Sequence, residues 1–238
     1  MRIKLLQAAT VVLALSGTAV FADSLSATYY TMANNDPDAH NSIGYTVTNT
    51  LGPNGFPVFT SPNPGLSDVN ASNEILWWTP SSTITLEGTG TASLPFSNNH
   101  MYVPEGTGTN DSNGFLTAMF TGTLNVPTDE TVTFHLGSDD DSFLYVDGTL
   151  ATQNPGIHGV TFAPVTTATL TAGTHTLDLF YADREQVGAV LDLTLDTSGV
   201  TVGPPSGPPT SAVPEPAAFS LLGFGLAGLA VLRRRRRT

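Results

Sequence analysis

The stretch Val132-Thr133-Phe134-His135-Leu136-Gly137-Ser138-Asp139-Asp140-Asp141-Ser142-Phe143-Leu144-Tyr145-Val146-Asp147-Gly148 decides the fold. Val132, Phe134 and Leu136 fall on one face of an extended chain, because side chains alternate along a strand. A second strand, Phe143 to Val146, closes on Asp147-Gly148, a dipeptide suited to a tight turn. Between the two strands lie three successive carboxylates. Strands disfavour Asp and like charges repel, so this loop calls for a compensating cation. Adjacent Asp side chains normally diverge. A cis peptide between them would turn both to one side, and Ca²⁺, with its all-oxygen shell, would favour that arrangement.

The same alternation continues on both flanks. Phe120, Gly122, Leu124 and Val126 alternate with Thr and Asn, and Pro127-Thr128-Asp129-Glu130 makes the turn that follows. Leu177 and Leu179 flank Asp178, while Leu191, Leu193 and Leu195 alternate with Asp192, Thr194 and Asp196. These read as antiparallel strands, each with one face in the core and the other toward water. Val132, Phe134, Leu136, Leu177, Leu179, Leu191 and Leu193 are the expected interior. The N-terminal half is less legible: Ala27–Tyr30, Ile43–Val47, Glu74–Thr79 and Thr83–Leu86 read as strands between polar loops. The adjacent Trp77 and Trp78 suggest a sugar-stacking platform, but neighbours on a strand point to opposite faces, and core packing is the better account.

Both ends of the chain carry addresses. Arg2 and Lys4, the apolar run Leu5–Leu15 and Val20-Phe21-Ala22 read as a secretory signal peptide over residues 1–22. At the other end, Val213-Pro214-Glu215-Pro216 precedes an apolar run from Ala217 to Leu232 and then Arg233 to Arg237. That run reads as a single transmembrane helix whose Arg cluster holds one end in the cytoplasm. Gly203-Pro204-Pro205-Ser206-Gly207-Pro208-Pro209 lies in a Pro-rich spacer taken as residues 199–212. The body between, 23–198, is long enough for one domain.

Between residues 23 and 212 the chain has one basic side chain, Arg184, against 19 acidic ones. Nucleic acid and anionic lipid need a basic footprint, so neither fits this body. Its charge suits cations, and it also suits simple solubility. There is no cysteine, which excludes thiol catalysis and Cys-type zinc sites.

Three ordered elements, Val-Pro-Glu-Pro, a short apolar run and an Arg cluster, make residues 213–238 resemble a PEP-CTERM sorting signal. That resemblance implies a bacterial protein handled by an exosortase and the secretion machinery, and released to the surface or to an exopolysaccharide matrix. The acidic stretch, with Gly156-Ile157-His158-Gly159 and Leu170 to Arg184, resembles the protective-antigen-type domain of flocculins, Epa-type adhesins and fibro-slime proteins. The likeness is concentrated in residues 115–197. It implies an all-β, jelly-roll-like antiparallel β-sandwich. In lectin members of that family an Asp-Asp pair holds Ca²⁺, and sugar hydroxyls complete the coordination. Carried over, the metal ligands are Asp139 and Asp140, with Asp183 third because Tyr181-Ala182-Asp183 stands where relatives place an Asn. Arg184, Glu185 and Gln186 would line the sugar site. Asp141 stands where many relatives have Gly and is expected to face solvent or an outer shell. His158 is expected to be structural, and Asp111 to sit in a turn or in a second cation site.

The chain lacks His-Glu-x-x-His, Gly-x-Ser-x-Gly and a P-loop. Asp178 and Asp192 are the one carboxylate pair that a hydrolase reading could use. The resemblance implies a Ca²⁺-dependent binder of extracellular glycan or exopolysaccharide. A structural matrix protein without defined sugar binding, or a secreted glycoside hydrolase, are the alternatives.

Overall fold

Twelve strands form two antiparallel sheets in the structure, a computed structural model that describes residues 23–61, 65–197 and 199–205. In chain order they are β1 Ser24–Met32, β2 Ile84–Ser93, β3 Phe96–His100, β4 Phe115–Val126, β5 Glu130–Asp139, β6 Asp141–Val146, β7 Thr149–Asn154, β8 Thr161–Phe162, β9 Thr166–Leu170, β10 Gly173–Ala182, β11 Val190–Leu195 and β12 Thr201–Gly203. The first sheet runs β2-β1-β4-β10-β6-β7, with β12 also on β4; the second runs β3-β11-β5-β8, with β9 also on β5. The architecture is the expected all-β sandwich. No helix occurs among the described residues. The signal segment 1–22 and the tail run 217–232 lie outside them.

All seven residues expected inside are buried, and Asp192 between Leu191 and Leu193 is only half-buried, so the strands have the register that the alternation predicts. They share the core between the sheets with Leu25, Phe120, Leu144 and Tyr181. The expectation that every strand has one wet face fails in the first sheet. All six residues of β6 are buried, because a second core covers the outer face of that sheet. Phe143, Tyr145, Phe180, Ala182, Phe115 and Met32 point outward into it. Trp77, Trp78, Ile75, Phe59 and Val47 close it from the other side.

That cover is residues 33–83, which join β1 to β2. Ile43–Val47 and Glu74–Thr79, expected as strands, contribute only isolated bridges, Val47 to Phe59, Val58 to Glu74 and Val69 to Ile75. Side chains supply what ladders do not. Buried Glu74 accepts from the Asn54 backbone N–H at 2.7 Å and from the Asn54 and Asn70 side-chain amides at 2.6 Å each. Both tryptophans are core residues and both indoles are satisfied, as buried N–H groups require. Trp78 Nε1 donates to Tyr181 O and Trp77 Nε1 to Asp38 Oδ2, each at 2.9 Å.

The domain also runs past the expected boundary at 198. β1 pairs with β4 as far as Thr121, and β12 takes up the same edge from Thr123 to Asn125. Thr201–Gly203 is therefore a strand, not spacer. Gly122 sits where the two partners of β4 meet. A Cβ there would collide with the Leu25 side chain and lie 2.8 Å from Gly203 O. We expect Gly122→Ala to destabilise the domain by about 1–3 kcal/mol, the usual range for overpacking. Urea unfolding measures it, and an unchanged midpoint would mean that β12 does not pack on β4.

Candidate metal centre

Two crossings between the sheets lie side by side, and together they build the site. β5 ends at Asp139 in the second sheet and β6 begins at Asp141 in the first, so Asp140 alone makes that crossing. β10 ends at Ala182 in the first sheet and β11 begins at Val190 in the second, with residues 183–189 between them. The ladders fasten one crossing to the other: Asp141 is opposite Ala182 and Asp139 opposite Val190. The loop 183–189 thereby closes against the acidic corner. Gly188 makes the approach possible, since a Cβ there would collide with the Asp139 carboxylate. The Asp139–Asp140 and Gln186–Val187 peptides are cis.

Asp139, Asp140 and Asp183 are all buried, Asp183 completely. Asp140 Oδ1 accepts from the His158 backbone N–H at 2.8 Å and Oδ2 from the Arg184 backbone N–H at 2.9 Å. Tyr181, wholly buried, donates its hydroxyl to Asp139 O at 2.6 Å. Asp183 Oδ1 has one long contact, from Glu185 N at 3.4 Å, and Oδ2 accepts nothing from the protein. Burial pushes the Asp183 carboxyl up to about 9, with the charges of Asp140, Asp111 and Asp139 adding to it. Burial, then the neighbouring Asp140, raises Asp139 to about 7. Burial also raises Asp140, against the two backbone N–H groups it accepts.

Asp111 lies near enough to these carboxylates for its charge to act on Asp139 and Asp183. It is buried, and its Oδ2 also accepts nothing from the protein. Its carbonyl accepts from Gly114 N, so it forms a turn as well. The segment Asn110-Asp111-Ser112-Asn113-Gly114 signals that turn; nothing in the sequence brings it near Asp139. Four carboxylates offer only oxygen, the donor set of a hard cation such as Ca²⁺. Two of the cluster's buried oxygens lack any partner, and buried anions persist only when paired or coordinating a metal. The donor chemistry of these residues therefore suits a divalent cation, while Asp139, Asp140 and Asp183 do not bring one oxygen each within 4.8 Å of one another.

Two expected roles are overturned. Arg184 does not line an open site: it is fully buried beneath the cover. Its Nε donates to Asp141 Oδ2 at 2.8 Å, and its Nη1 to Asp38 O and Asn41 O at 2.9 Å each. Its guanidinium lies 4.5 Å from the centre of the Trp77 ring. Asp141 does not face solvent either. It is wholly buried and also accepts from the Tyr45 hydroxyl and Gly156 N. Burial opposes the Arg184 charge, but Asp141 outweighs it and the pKa is raised. Glu185 is half-buried and takes a bond with His40 Nδ1 at 2.8 Å. Gln186 and Val187 are exposed at the rim. The His158 side chain engages Gly159 O through Nδ1 at 3.0 Å. Asp178 lies on the outer face of the first sheet and Asp192 on that of the second, so they flank no common cleft.

The sequence matches the PA14 domain over residues 90–206 and the PEP-CTERM protein-sorting motif over 212–237. No curated protein sequence matches the chain. Among solved structures, the PA14 domain of the MpAFP antifreeze protein is similar at 12% identity and TM-score 0.44, covering 82% of this chain and 100% of that one. The epithelial adhesin 6 A domain of Candida glabrata, in complex with Galβ1-3GlcNAc, is similar at 13% identity and TM-score 0.41, covering 78% and 86%. The beta-glucosidase of Kluyveromyces marxianus, in complex with glucose, has 10% identity and TM-score 0.38; the match spans 72% of this chain and only 16% of that enzyme. With the crossing at Asp139–Asp141 and the match that spans it, the chain carries a PA14 domain followed by a PEP-CTERM sorting motif.

Proposed function

We propose that this chain is an exported surface or matrix protein whose sandwich binds an extracellular glycan or exopolysaccharide through Ca²⁺. Asp139, Asp140 and Asp183 would hold the ion, with Asp111 beside them. One observation carries the reading: Asp183 is fully buried, presents an oxygen with no partner, and faces other buried carboxylates. The only basic side chain of the body, Arg184, is already paired with Asp141. Ca²⁺ takes more oxygens than three side chains provide, so its remaining positions suit vicinal sugar hydroxyls. Gln186 and Val187, with Val187 86% exposed, offer a polar and an apolar contact at the rim. The sorting motif at 212–237 supports export with exosortase handling and passage through the membrane.

Calcium titration of the purified chain, followed by a glycan array with and without chelator, tests the proposal. Asp140→Ala removes a ligand while the two cores remain, and is expected to lower calcium affinity and glycan retention together by about 100-fold or more. Glycan binding that persists at full strength in excess chelator would favour a metal-free matrix protein instead.

A further inference from the structure

The 33–83 cover holds a second group of acidic side chains that the PA14 match does not reach. Asp36 and Asp38 follow β1, and Asp68 lies in the turn before Trp77. Among the described residues, this trio alone brings three acidic ligand oxygens all within 4.8 Å of one another; Asp139, Asp140 and Asp183 are set further apart. Asp36 is 4% exposed and Asp38 fully buried. Asp38 is well supplied: Oδ1 accepts from Ser67 N at 2.5 Å, and Oδ2 from Asp68 N at 3.0 Å and from Trp77 Nε1. Its two neighbours are not. Asp36 Oδ1 accepts from Asp38 N at 2.8 Å, but Asp36 Oδ2 and Asp68 Oδ2 accept nothing from the protein. Asp36 and Asp68 approach within hydrogen-bonding reach of each other. Two acceptors so placed need a proton or a cation between them.

A cation is the better partner. The trio offers only carboxylate oxygens, which suits a hard divalent ion and not zinc. Among the described residues the one Lys or Arg cannot neutralise it, since Arg184 is paired with Asp141 and reaches Asp38 only at its backbone carbonyl, and His40 is bonded to Glu185. We propose that Asp36, Asp38 and Asp68 form a second Ca²⁺ site, whose role is to fasten the cover onto the sandwich. The ion would join residues 36–38 to 67–68 beside Trp77, where ladders are lacking. It also sits one connection from the first site. Asp38 O accepts from Arg184, Arg184 O accepts from His40 N, and Arg184 N donates to Asp140. Fixing residues 36–41 therefore fixes the start of the 183–189 loop.

The test uses the purified chain, stripped by chelator and titrated with Ca²⁺ and with Tb³⁺. The chain has two tryptophans, both in the cover, and Trp77 is bonded to Asp38. Tb³⁺ bound by the trio is expected to emit under tryptophan excitation. Asp68→Asn keeps the side-chain shape and removes one of the unpaired anions, so it should fold as well as the parent in chelator. The parent is expected to bind two calcium equivalents and Asp68→Asn one. Asp140→Ala should keep the tryptophan-sensitised emission, and Asp68→Asn in that background should abolish it. A single equivalent, lost in Asp68→Asn but kept in Asp140→Ala, would support this site and sink the calcium reading of the first. An Asp68→Asn variant that keeps the parent's calcium count and emission would overturn the second site.

Discussion

Arg184→Ala is expected to destabilise the domain by about 3–5 kcal/mol, the loss typical of breaking a buried ion pair from one side. Arg184 and Asp141 both have completely buried side chains. Without the guanidinium, Asp141 is left as a buried anion next to Asp140, and the carbonyls of Asp38 and Asn41 lose their donor. The Trp77 ring loses its cation as well, a contact of about 0.5–2 kcal/mol. Arg184→Met with Asp141→Asn distinguishes the charge from the shape. Asn can still accept from Tyr45 and Gly156, and methionine refills part of the volume, so the double variant should recover much of the loss. Urea unfolding of the parent, Arg184→Met, Asp141→Asn and the double variant gives the coupling. A loss under about 1 kcal/mol, as for an exposed pair, would return Arg184 to the rim and to sugar contact.

The misplacement of Arg184 shows where sequence reading stops. Alternation placed Val132, Phe134, Leu136, Leu177, Leu179, Leu191 and Leu193 correctly, because one buried face imposes a period of two. The place of the acidic corner, between two apolar strands, was legible for a different reason, since strands disfavour Asp; that Asp141 is the buried partner of Arg184 was not. The second core left no such trace. Residues 33–83 have no periodicity, since isolated bridges and side-chain bonds from Glu74, Trp77 and Trp78 hold them. With that cover invisible, the outer face of β6 and β10 read as wet, and Asp141 and Arg184 read as surface. Asp111 was visible as a turn, but its proximity to Asp183 is a tertiary fact. β12 is only three residues and is followed by two prolines, so composition assigned it to the spacer.

In chelator, the domain is expected to lose stability as pH rises from 5 to 8, the reverse of ordinary acid denaturation. Asp183, raised to about 9, keeps its proton in the folded state while the unfolded chain releases it above about 4. The folded state then binds more protons, so stability falls with pH, by about 1.4 kcal/mol per unit for one such group. Asp139 and Asp68, each raised to about 7 mainly by burial, act in the same sense over the lower part of the window. His175, raised by its bond to Asp147, agrees in sign, because the stability it gives is lost as it deprotonates. In Glu74 and Asp147 burial is outweighed by hydrogen bonds that lower the pKa, so they oppose the trend only at more acidic pH. Three units of pH acting on Asp183 alone amount to about 4 kcal/mol, on the order of 10 °C in melting temperature for a domain this size. Calcium binds the deprotonated carboxylates, so its stabilisation should be small at pH 5 and large at pH 8, flattening the profile. Melting curves in chelator and in millimolar calcium across this range decide the matter. A chelated profile that is flat or rises toward pH 8 would mean that the protein itself balances these carboxylates, and the need for a cation would disappear with it.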